Sequence, residues 1–94
     1  MGKKLAQRLI YNQRMSDITI EKIHFAVFVI DAMSEKWNLP TNETYRILND
    51  SGIMDGYVLD LYDVVHTLGR EAIVDDICEK LKSLDYKDAA IPRI

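Results

Sequence analysis

Apolar and polar residues alternate along most of this chain with the 3.6-residue period of amphipathic helices, in segments separated by turn residues. In the first segment Leu5, Ala6, Leu9 and Ile10 recur at helical spacing among Lys3, Lys4, Gln7 and Arg8. This predicts a short amphipathic helix of about three turns, marginal unless it docks on something. Ser16 or Asp17 is placed to cap a second helix, in which Ile20, Ile23, Val27, Ile30 and Met33 keep the period as far as Trp37. Phe25, Ala26, Phe28 and Val29 fill the remaining directions, so this helix is expected to be central and enclosed on most sides. Its β-branched run also suits a buried strand, but a periodic stretch of about twenty residues is too long for one.

Pro40, Thr41 and Glu43 then predict a turn, an N-cap at Thr41 and an acid where the helix dipole favours it. Tyr45, Ile47 and Leu48 supply the apolar side of this short helix, and Gly52 ends it as a left-handed cap residue. From about residue 54 to 68, Tyr57, Val58, Leu61, Val64, Val65 and Leu68 form an inward stripe, with Asp60, Asp63 and Thr67 on the other side. Gly69 breaks the run. A last helix begins near Arg70, presents Ile73, Ile77, Leu81 and Leu84, and ends before Asp85.

The tail YKDAAIPRI has no clear period, and its Ile91 and Ile94 read as exposed residues of a chain end that is either disordered or folds onto a partner. The pattern therefore gives an all-α fold, a compact small bundle of four to five helices. It divides into a basic N-terminal amphipathic arm at residues 1–15, a helical domain at 16–85 and a C-terminal tail at 86–94.

Composition adds bounds. Ninety-four residues make one domain, which buries about 60% of its unfolded surface. The single cysteine, Cys78, rules out an intrachain disulfide and points to a reducing compartment. The N-terminus has no apolar core or cleavage site of a secretory signal, and Ala6 stands where a myristoylation signal has Ser or Thr. The longest apolar run, residues 25–30, is far short of the roughly 20 residues that span a bilayer. A cytoplasmic protein without membrane attachment is expected.

Charge is segregated. Lys3, Lys4, Arg8 and Arg14 give the first fourteen residues +4, so a net charge of −3 leaves −7 on the remaining eighty. From Asp50 to Asp76 seven acids face Arg70 alone. Solvated helix faces account for this simply; a docking surface for a basic partner is the functional reading. The arm offers phosphate contacts, but four charges on an acidic chain without a recognition helix rich in Arg, Asn or Gln make nucleic-acid binding a minor alternative.

The stretch YDVVHTLGRE carries the remaining candidate chemistry. Asp63 lies one helical turn before both His66 and Thr67, within reach of the imidazole or the hydroxyl. No oxyanion hole, activated nucleophile or phosphate-cradling loop accompanies them. A helix end and restart explains each residue: a histidine in a last turn, then a glycine stop. His24, His66 and Cys78 lack the close spacing of a zinc site, although Asp75 and Asp76 offer oxygens, so neither metal nor cofactor is expected.

Residues from about 18 to 84 resemble a family of short bacterial and phage-associated proteins of unknown function. The resemblance rests on an apolar first helix and on Tyr62, Asp63, His66, Thr67, Gly69, Glu71, Val74, Asp75 and Ile77. Members resemble accessory proteins encoded beside proteins like ADP-ribosyltransferase toxins, which implies an antitoxin-like, partner-binding role and no catalytic residue. The basic arm lies outside the resemblance.

The reading is thus a non-enzymatic interaction module that binds another protein, a toxin enzyme or its own copy, with Asp60, Asp63, Asp75 and Asp76 steering a basic partner. The alternatives are a small enzymatic or metal-dependent protein centred on Asp63, His66 and Thr67, or a nucleic-acid regulator using the arm.

Overall fold

The computed structural model describes residues 18–88 and 90–91, and these form five helices with no strand among them. Helix α1 spans Ile20–Trp37 and α2 spans Thr41–Asp50; a π-helical segment follows at Met54–Leu59, then the short α3 at Tyr62–Val65 and α4 at Arg70–Ser83. The predicted all-α bundle is what forms. The predicted first helix, with Lys3, Lys4, Arg8 and Arg14, lies outside the described residues, as do the caps predicted at Ser16 or Asp17.

Helix α1 instead starts at Thr19, whose extended backbone (φ −94°, ψ 167°) stops the helix and whose Oγ1 accepts a bond from the Lys22 N–H at 3.2 Å. It ends at Asn38, which takes the left-handed conformation (φ 55°), with the Leu39 N–H donating back to the Ser34 carbonyl at 3.0 Å. Thr41, predicted as a cap, is the first residue of α2, and Pro40 precedes it as the cap residue without a side-chain bond. The Thr41 hydroxyl is therefore not the capping group. Gly52 stops α2 as predicted, at φ 81°, which an L side chain rarely adopts.

The core lies where α1 packs against α2, α4 and the π-helical segment. Trp37, Met33 and Val29 of α1 meet Ile47 and Leu48 of α2 and Ile73 and Ile77 of α4, all fully enclosed. Thr44 is the buried polar residue, and its hydroxyl accepts a bond from Ser34 at 2.8 Å, which satisfies it across α1 and α2.

The segment predicted as one helix from residue 54 to 68 is not one helix. In the π-helical segment the Asp60 N–H donates to the Asp55 carbonyl, an i to i+5 bond, and Leu61 (φ −104°, ψ 22°) then leaves helical geometry. An i to i+5 turn holds an extra residue, so the helical phase shifts and the predicted stripe does not stay inward. Tyr57, Val58 and Val65 are buried, but Leu61, Val64 and Leu68 face solvent.

The chain after α4 folds back onto the domain. Tyr86, Ala90 and Ile91 pack against the core, so Ile91 is half-buried where the sequence pattern suggested exposure; Ile94 is outside the described residues. Arg46 of α2 holds this return: its guanidinium donates to both Asp88 oxygens, at 2.9 and 3.3 Å, and to Glu43 at 3.0 Å. The Asp88 carboxylate also accepts the Ala90 N–H at 2.9 Å.

Arg46 and the Ala90 amide together hold the Asp88 carboxyl below its ordinary value. A depressed carboxylate contributes stability above its unfolded pKa, about 4, which is lost as pH falls through the folded value. We therefore expect the Ala90 amide resonance to be constant from pH 8 to 5 and to move towards a released position below about pH 4, and Asp88→Asn to show the released position at pH 7. An Ala90 signal unaffected by either change would contradict this anchoring.

Candidate interaction surface

Asp63, His66 and Thr67 are all exposed, on α3 and the turn that follows it. The His66 ring bonds through Nδ1 to the Tyr62 carbonyl, which places its proton on Nδ1. Thr67 Oγ1 donates to the Val64 carbonyl at 2.7 Å. Both bonds end on backbone of the same turn, so the predicted reach from Asp63 to either side chain is not used. Gly69, predicted to end the helix, does not do so. Helix α3 has already ended at Val65, and Gly69 is the extended N-cap residue of α4 (φ −71°, ψ 160°).

What the motif does hold is a ladder of rings. His66 stacks on Tyr62 with centroids 4.3 Å apart and planes 7° from parallel, and Tyr62 meets the Phe25 ring at 5.5 Å, edge to face at 76°. Phe25 in turn stacks with Phe28 at 6.2 Å. Such pairs contribute about 0.5–1.5 kcal/mol each beyond the area they bury. They fasten α3 against the middle of α1.

Apart from this ladder, α1 carries exposed apolar residues. Ile20 is 68% exposed, Ile23 and Val27 are each 51% exposed and Phe28 is 42% exposed. At about 100° per residue, Val29 in the core lies half a turn round the axis from Ile20, and Val27 lies within about 20° of Ile20. Helix α1 thus carries two apolar stripes on opposite sides. The inward one uses Val29, Ala32, Met33 and Trp37; the outward one uses Ile20, Ile23 and Val27. The expectation that α1 is enclosed on most sides is therefore corrected: its C-terminal half buries one side in the core, and its N-terminal half shows an apolar face to solvent. Val64, 65% exposed, and Leu61 add apolar surface on α3. The sequence signal for this face is the all-round hydrophobicity of residues 20–30.

The acids predicted to form one docking surface have different surroundings. Asp76 accepts the Tyr57 hydroxyl at 2.8 Å, and burial beside that carboxylate pushes the phenol pKa well up, keeping it protonated. Asp75, one residue earlier and about 100° round α4, opens onto a different region, a groove of 420 Å³ between α1 and α4. Lys36, Arg70 and Glu71 also line that groove, and Arg70 pairs there with Glu35 at 2.9 Å. Asp60 and Asp63 are exposed near α3. His24 is exposed on α1, and burial raises the thiol pKa of the half-buried Cys78. Among the described residues no three His, Cys, Asp or Glu side chains are grouped to hold a metal ion, and no helix is long and apolar enough to cross a membrane.

A family model described as "Protein of unknown function (DUF3791)" matches residues 24–83, which takes in α1 from His24, the ring ladder and all of α4. No curated protein and no solved structure matches the chain significantly.

Proposed function

The chain belongs to the DUF3791 family of proteins of unknown function, and from that premise we propose that it is a non-enzymatic helical module that binds another protein through the outward face of α1. The observation that carries this is the exposure of Ile20, Ile23, Val27 and Phe28 on one element of a small domain. Scattered apolar residues on a surface are ordinary, but a run along one side of a helix marks an interaction site. Its geometry suits a partner helix, with anchors at positions i, i+3 and i+7. Asp31, exposed on the same side of α1 as Ile20 and Val27, favours a partner with basic residues beside its apolar ones. A toxin enzyme of the ADP-ribosyltransferase kind, implied by the family resemblance, is the candidate partner to try first.

Co-expression of the full chain with such an enzyme, followed by affinity purification at moderate salt and mild crosslinking, tests the reading. A stoichiometric complex is expected from the wild-type chain, and none from Ile23→Asp. Recovery of the chain alone as a monomer, or equal recovery from Ile23→Asp, would count against it.

A further inference from the structure

We propose that the segment after α4 is a releasable strap whose seat beside Arg46 is a second recognition site, for an extended peptide with an aromatic residue, a carboxylate two residues on and an aliphatic residue three further. This site is separate from the outward face of α1 and does not rest on it.

The strap joins the domain at one reversal. Asp85 takes the left-handed conformation (φ 51°); its N–H donates to the Lys82 carbonyl and the Tyr86 N–H to the Leu81 carbonyl, each at 3.0 Å. Glycine is the ordinary residue at such a helix end, so rotation at this one strained position frees everything after it.

From there the strap crosses from the end of α4 to α2. Tyr86 packs on the core beside the charges of Asp50 and Arg46, Lys87 is exposed, Asp88 turns in to Arg46, and Ala90 and Ile91 pack on the core again.

Side chains alone hold it to α2. Past Tyr86 the described backbone bonds are internal: the Ile91 N–H donates to the Asp88 carbonyl at 3.1 Å and the Ala90 N–H to the Asp88 carboxylate. The strap is thus a peptide docked on the domain, and such segments open locally without unfolding the rest.

The latch is selective. The Asp88 side chain is 16% exposed against 41% for Arg46, so the carboxylate is the more enclosed partner, held in a fork of two guanidinium N–H groups. Glu43 holds the guanidinium through Nε and Nη2, and Asp50 lies 3.7 Å from it. Once the strap leaves, these two acids outnumber Arg46. A carboxylate placed to fill the fork is then accepted, and a diffuse acidic surface is repelled.

A tethered segment has an effective concentration on the order of millimolar. With the strap closed about ten times to one, a free peptide of the same residues has a Kd on the order of 0.1 mM, weakened about tenfold wherever the strap competes.

The probe is the capped peptide YKDAAI, the sequence of residues 86–91, titrated by amide NMR into the full chain, wild type and unlatched by Tyr86→Ser with Asp88→Asn. The expected result is saturable binding seen at the Glu43 and Arg46 amides, about tenfold tighter in the unlatched chain. Arg46→Gln in that chain should abolish it, as should alanine for aspartate in the peptide, while Ile23→Asp should leave it unchanged.

Equal affinity in both chains, no saturation up to several times the expected wild-type Kd, or indifference to the peptide's aspartate would overturn the proposal. Loss of peptide binding in Ile23→Asp would place the peptide on α1 and overturn it equally. Urea denaturation confirms that each variant is folded, and the altered peptide keeps the test decisive should Arg46→Gln unfold the domain. If no peptide binds while Ile23→Asp still loses the partner, the strap proposal falls and the α1 surface stands.

Discussion

Trp37→Ala is expected to lower the stability of the domain by about 3–5 kcal/mol, the range for removing a large enclosed aromatic side chain. Trp37 is 1% exposed and closes the C-terminal end of α1 against the rest of the core. Domains of this size have about 5–15 kcal/mol in all, so the loss is a large fraction of the total. Urea unfolding should show a midpoint lower by roughly 2 M, since small domains lose about 1–3 kcal/mol per molar urea. A fall of less than about 1 kcal/mol would show that the indole is not enclosed.

The contrast on the same helix is the more telling result. Val27→Asp places a charge ten residues from Trp37 but on the outward stripe, where the side chain is half in water. Stability should change by no more than about 0.5 kcal/mol, as for surface positions in general. Binding should suffer far more, because a carboxylate would have to be buried in an apolar contact. Central interface positions cost about 2–4 kcal/mol when disrupted, so affinity for the partner should fall roughly 30- to 1,000-fold. Isothermal titration beside urea unfolding separates the two effects. Loss of stability instead of binding would place Val27 in the core.

That contrast also shows what the sequence pattern could convey. Helical periodicity identified the all-α class, the extent of α1 and α4, and the Gly52 stop, since these depend on spacing and local backbone preference. Periodicity cannot say which of two apolar stripes faces inward. On α1 the series Ile20, Ile23 and Val27 is as regular as Val29, Ala32, Met33 and Trp37, and only packing against α2 and α4 distinguishes them.

The π-helical segment escaped for a related reason. An extra residue per turn shifts the phase without any mark in the apolar pattern, and Leu61 and Val64 lose the inward positions that an α-helix would give them.

The long-range contacts were not legible at all. Arg46 and Asp88 are 42 residues apart, and the partner of Tyr62 on another element is Phe25, on a helix separated from it by two intervening elements. In YDVVHTLGRE the candidates were found, but their relations were not. Asp63, His66 and Thr67 drew attention by their spacing, yet His66 and Thr67 bond to carbonyls of their own turn, and the residue that links the motif to the rest of the fold is Tyr62. Hydroxyl and imidazole groups at a helix end compete for local carbonyls, which spacing alone does not reveal.

The central claim is that the outward face of α1 is where a partner sits. Amide hydrogen exchange of the full chain, free and in its complex, tests it most directly. Binding should slow exchange in residues 20–30 and leave the α1–α4 groove, residues 70–75, unchanged. Protection confined to residues 70–75, with residues 20–30 exchanging as in the free protein, would contradict it.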